Sequence, residues 1–256
     1  MVPRTGPKTN LASSPVCGLG EDLDQGCTSS IPPIASGFQR QNMNWEDLEK
    51  HFSSARLGRY RASCDGDKEI ATRAYVSNLL LAEAMMPLLN VLEIALRNGM
   101  HNRLALIYER ADWWHDWIGR PVFDWQIREV NNAKAKLLRR AEVATPDKIV
   151  AELAFGFWSS LFNAQFQGIL WKELRLVFPR CPKQQRQRHT ISAALNQVRS
   201  LRNRVFHHEQ LLWLTPTLIA LHARGIEVVG WLDPSLQNWL AQLDRLPAVW
   251  DSAQPI

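Results

Sequence analysis

Residues Ser200 to Glu209 gather Arg202, Arg204, Asn203, His207, His208 and Glu209 into a block of ten. A guanidinium is a permanent cation whose planar fork matches two phosphate oxygens, and an imidazole exchanges a proton near neutral pH. Cleaving a phosphodiester needs such groups: fixed positive charge beside a group that can move a proton. Arg202 and His207 are five positions apart, so on a helix they point roughly 140° away from each other. Asn203 and His207, at i and i+4, share a stripe. One such helix therefore carries an incomplete site. The same residues also have an inert reading, a helix end where His207 and His208 cap carbonyls and Glu209 pairs with an arginine.

The charge around this block has one sign. From Arg175 to His208 there are eight Lys or Arg and no Asp or Glu. Arg186, Arg188, Arg199 and Arg204, with His208, are candidates to line a groove along a phosphate backbone. The formal charge of +5 and pI near 9.2 permit a polyanionic partner without requiring one. A second cluster, Arg97 to His101, repeats the residue types at i and i+4, either beside the main block or as a polar helix end. His115 among Trp113, Trp114 and Trp117 reads as core packing under a turn. Glu83 and Glu93 sit on the most apolar helix, within reach of Arg97 or a motif arginine.

The elements that must position these groups are helical. Asn44 is an N-cap for a short helix to Phe52, followed by a second over 55–61. A long pattern runs from Lys68 to Arg110, with Leu81, Met85, Leu88, Leu92 and Leu96 as its apolar stripe and a kink expected at Pro87. Helices are expected over 122–141, from Thr145-Pro146 to Phe166, over 170–177, over 183–209, over 216–224 with Gly225 as C-cap, and over 235–245. No sustained alternation of period two and no glycine-rich phosphate loop occurs. The fold class is all-α. Residues 1–43, rich in Pro, Gly, Ser and Thr, read as a flexible extension, and residues 44–256 as the helical domain.

Four cysteines lack zinc-finger spacing, which points to a reduced, cytoplasmic protein with no structural metal and no cofactor. No signal peptide opens the chain. The apolar run from Leu79 to Leu96 contains Glu83, Asn90 and Glu93, so it reads as a buried helix rather than a membrane span.

Arg202-Asn203 followed by His207 fits the R-N-x3-H form of the R-x4-6-H motif of HEPN domains. The segment Leu201 to Glu209 resembles the matching part of Abi-like (abortive infection) proteins, a bacterial branch of that superfamily. Pro87 to His101, Phe155 to Leu161 and Trp231 to Trp239 resemble further Abi-like segments in the same order, so the likeness extends over residues 44 to about 250. The resemblance implies an HEPN-like helical bundle with additional helices, working as a homodimer whose two motif helices form a composite cleft. It assigns Arg202, Asn203 and His207 to catalysis, RNA as substrate, 2′,3′-cyclic phosphate and 5′-hydroxyl ends as products, and antiphage defence as the setting. It equally accommodates a non-cleaving or conditional RNA-binding module, partnered by a non-coding RNA or an antitoxin.

Overall fold

The computed structural model describes residues 43–253. The expected flexible extension therefore lies, apart from Met43, outside the described residues. Among the described residues there are eleven α-helices and no strand, as the periodicity predicts. They are α1 (Trp45–His51), α2 (Ser54–Ser63), α3 (Lys68–Tyr108), α4 (Asp124–Arg139), α5 (Pro146–Glu152), α6 (Phe155–Ser160), α7 (Trp171–Leu174), α8 (Arg188–Phe206), α9 (Leu218–Leu232), α10 (Pro234–Ala241) and α11 (Leu246–Ala253).

The long helix α3 is the axis of the molecule. Its 41 residues correspond to about 60 Å at 1.5 Å per residue. Asp67 caps its start by accepting the Ile70 amide at 2.9 Å, and Glu109, in the left-handed region at φ +53°, ends it. The helix continues through Pro87. Its first turns serve a small core of Trp45, Leu48, Leu57, Tyr60, Cys64, Ala71, Ala74 and Tyr75, shared with α1 and α2. From Leu81 onward it enters the main core, where α8, α9 and α11 pack against it. Its most apolar 18-residue window has a mean hydropathy of 1.8, enough by length and composition to cross a membrane. In the fold, Leu81, Met85, Leu88, Leu92 and Leu96 of that stripe are instead buried against other helices.

A second feature is the aromatic wedge. Trp113, Trp114 and Trp117 are at most 1% exposed; Trp117 stacks on Phe123, which stacks on Phe166, and Trp113 meets Trp158 edge-on, as Trp158 meets Phe157. Burying each side chain of this size contributes about 1.5–3 kcal/mol. Indole N–H groups fix the wedge, among them Trp117, which donates to the Tyr108 hydroxyl at 3.0 Å, and Trp158, which donates to the Leu153 carbonyl at 3.2 Å.

Several boundaries differ from the sequence reading. The helix expected from Thr145 to Phe166 breaks at Leu153–Ala154 into α5 and α6, because the Leu153 carbonyl turns to accept Trp158. Thr145 does cap α5, its hydroxyl accepting the Lys148 amide at 3.5 Å. The motif helix begins at Arg188 rather than Lys183, since residues 183–187 form turns stapled by Arg186. Gly225 is not a C-cap. It lies inside α9, where a Cβ would stand 2.8 Å from Leu88 Cδ2, so the glycine serves close packing of α9 on α3. The final helix ends at Ala241, and α11, unforeseen, follows it.

Candidate functional site

Helix α8 buries Ile191, Ala194, Leu195, Val198, Leu201 and Val205, a three-and-four spacing that turns one face to the core. The polar motif residues are left to the remaining arc. The helix ends at Phe206 in a Schellman arrangement. His208 takes φ +56°, its amide donates to the Val205 carbonyl at 3.1 Å, and the Glu209 amide donates to the Arg204 carbonyl at 2.8 Å. Glycine is the usual occupant of such a position, and an L-residue there costs about 1–2 kcal/mol. Two distant groups hold the turn. Arg56 of α2 donates to the His208 carbonyl at 2.8 Å. Asn78 of α3 donates to the Glu209 carbonyl at 3.1 Å and accepts the Leu211 amide at 2.7 Å.

The turn separates the motif into two neighbourhoods. His207 and His208 line a cleft of about 230 Å³ with Ser53, Arg56, Arg59, Tyr60 and Glu209. Arg202 sits on the other side, against α3. Its Nε lies 3.4 Å from Glu93 Oε2, an ion pair without hydrogen-bond geometry, and its guanidinium carbon stands 4.4 Å from the centre of the Phe206 ring. Glu93 and Phe206 also border a cleft of about 240 Å³ with Met86, Asn90, Ile94 and Arg97. Asn203 is exposed, and its backbone carbonyl accepts the His207 amide at 2.8 Å. Within one chain, then, Arg202 packs against Glu93 and Phe206 and does not line the cleft of His207, in keeping with their spacing.

The basic run divides by role. Arg186 donates to the carbonyls of Cys181 (3.0 and 3.2 Å) and Pro179 (3.3 Å), and Arg188 donates to Phe162 O at 2.8 Å and Gln167 Oε1 at 2.9 Å. Both guanidinium groups hold loops in place. Arg204 pairs with Glu209 at 3.0 Å. Arg199 is half-buried, its stem lying across from Gly156 of α6.

The second cluster is divided as well. Trp113 Nε1 donates to His101 Nδ1 at 3.0 Å, which requires that nitrogen to be unprotonated, and burial lowers the His101 pKa. His101 is therefore a neutral anchor of the tryptophan wedge, whereas Arg97 borders the cleft by Phe206. Glu83 pairs with Arg245 at 2.8 Å, and Cys64 and Cys181 are buried thiols whose pKa burial raises.

Sequence reasoning missed Arg56, Arg59 and Asn78. Arg56 and Arg59 at i and i+3 on a predicted helix were a legible pair. Asn78, a lone amide in an apolar stretch, signals a buried partner without saying which. It also missed His222, buried in α9 and 3.0 Å from Asp244. No protein-family model matches the chain, and comparison with characterised proteins and with solved structures finds no match either.

Proposed function

We propose that this protein is a metal-independent endoribonuclease of the HEPN type, acting as a homodimer, with Abi-like antiphage defence as its setting. One observation carries the reading: His207 stands at an exposed helix end in a cation-lined cleft, free of the packing that engages Arg186, Arg188 and His101. There His207 exchanges a proton with the ribose 2′-hydroxyl or the leaving 5′-oxygen, Asn203 orients the reacting phosphate, and Arg202 stabilises the phosphorane-like charge. Because Arg202 of the same chain is held by Glu93 and Phe206 outside the cleft of His207, the arginine serving each His207 comes from a second copy. An apolar face supports that assembly: Val76, Leu79, Leu80, Met86 and Ile94 of α3, with Phe206, are each 40–47% exposed.

The Arg202–Glu93 pair favours a second reading, an RNA-binding module whose cleavage is absent or conditional. Incubation with total RNA in EDTA, followed by end-group mapping, separates the two. The nuclease leaves 2′,3′-cyclic phosphate and 5′-hydroxyl ends, and His207→Ala reduces their formation by about 10²–10⁴ while leaving the fold intact. Cleavage retained in a folded His207→Ala protein overturns the assignment. Full activity in a species that sediments as a monomer with RNA present overturns the composite site.

A further inference from the structure

We propose that the cleft between α2 and the turn after α8 seats a backbone phosphate of single-stranded RNA beside His207, with Arg59 as its main cation. The inference rests on the RNA reading above and adds to it a subsite built by an element far from the motif.

The lining has the chemistry of an anion seat. Arg56, Arg59, His207 and His208 line it, together with Ser53. Glu209 is the carboxylate among the lining residues, and Arg204 neutralises it at 3.0 Å. Arg56 spends one N–H group on the His208 carbonyl, and a guanidinium has five donors, so most remain for a ligand. Arg59 is exposed and has no ion-pair partner among the described residues. The Tyr60 hydroxyl in the same wall is buried without a hydrogen-bond partner, a polar group otherwise left unsatisfied.

Size and surroundings narrow the ligand. A volume of about 230 Å³ falls below the roughly 300–1,000 Å³ of sites that engulf a small molecule. The cleft therefore takes one group of a longer ligand. Trp213 packs edge-on against Tyr60, ring centres 5.9 Å apart, and stays 42% exposed. That indole offers a face on which an unpaired base can stack, whereas a duplex hides its base faces. Cations beside an exposed aromatic are the pattern of single-strand binding.

The test uses the full chain and a 2′-O-methyl RNA 12-mer, which lacks the 2′-hydroxyl that would attack and so reports binding alone. Anisotropy titrations across a salt series compare wild type with Arg59→Ala and Arg59→Lys. Arg59→Ala is expected to weaken binding about tenfold and to reduce the salt slope by about 0.7, one phosphate contact on a single strand. Arg59→Lys keeps the slope. Unchanged affinity and slope in a folded Arg59→Ala protein overturn the subsite. Cleavage of unmodified RNA in EDTA is scored in parallel. Weakened binding by Arg59→Ala with no cyclic-phosphate ends from wild type supports the subsite and sinks the nuclease reading. Cyclic ends from wild type with undiminished Arg59→Ala binding do the reverse.

Discussion

Asn78→Ala should unfasten the turn that carries His207 before it unfolds the protein. Asn78 is 3% exposed, and its carboxamide joins α3 to the segment after α8 through two bonds, to Glu209 O (3.1 Å) and Leu211 N (2.7 Å). Alanine leaves the buried Leu211 amide without a partner, at a cost of about 1–3 kcal/mol, and forfeits the bond to Glu209, worth about 0.5–1.5 kcal/mol. The expected loss is thus about 2–4 kcal/mol, within the roughly 5–15 kcal/mol of a typical domain. At an m-value of about 3 kcal/mol per molar urea, the midpoint falls by about 1 M. Because the lost contacts lie at residues 209–211, exchange of the Leu211 amide should accelerate without denaturant, and RNA binding should weaken while the helical content stays. Asn78→Asp keeps the acceptor for Leu211 but loses the donor and buries a charge, so it should be no milder. A midpoint shift below about 0.2 M with unchanged Leu211 exchange would show that the turn is held by other contacts.

Arg202→Lys keeps the charge but loses the planar fork and its contact with Phe206, so cleavage should be severely impaired; near-normal rates would move Arg202 from catalysis to general electrostatics. Two glycines should respond with opposite signs. Gly225→Ala forces a Cβ to 2.8 Å from buried Leu88 and should destabilise by about 1–2 kcal/mol, whereas Gly58, exposed in α2 with nothing within 4 Å of an added Cβ, should gain about 0.5–1 kcal/mol as alanine; chemical denaturation of both variants checks the signs. Stability should fall on acidification below pH 6.5. Burial lowers the pKa of His101 and His222 in the folded chain beneath their ordinary 6.5, so between the two values the unfolded chain binds more protons. His222→Gln should flatten that slope in denaturation curves taken from pH 7 to 5, and an undiminished slope would assign it to other groups.

The parts of this fold that were legible are those set by local chemistry. Asn44 and Thr145 each accept the backbone amide three residues on, and an N-cap is a decision of four residues. The α3 stripe was legible because its period repeats over many turns. What failed depended on contacts distant in sequence. Gly225 looks like a helix stop until Leu88 of α3 is seen beside it, and both glycine roles have the same local appearance. The break between α5 and α6 turns on Trp158 reaching back to Leu153, which propensity cannot register. The inert use of His101 depends on Trp113, a residue beyond the end of its own helix.

Charge patterning leaves more undecided. The one-signed run from Arg175 to His208 suggests a groove along a phosphate backbone, but in the chain Arg186 donates to backbone carbonyls, Arg188 to the Phe162 carbonyl and the Gln167 side chain, Arg204 faces Glu209, and Arg202 faces Glu93. An arginine fork satisfies orphan carbonyls as readily as it grips phosphate, because both offer oxygen acceptors to the same donors. The absence of acidic residues in the run therefore says nothing about where its cations point. The positive charge beside His207 comes instead from Arg56 and Arg59, carried on α2; Arg56 reaches the His208 carbonyl across 152 residues of sequence. That placement follows from α3: its first turns bind α2, and Asn78 ties the end of the motif to the same stretch. The residues concentrated in one block are thus distributed by the fold, with His207 delivered to a cleft against α2 and Arg202 packed against Glu93 of α3 and Phe206. On the proposed composite site, a second copy is what joins the two again, and the sedimentation test above decides that point.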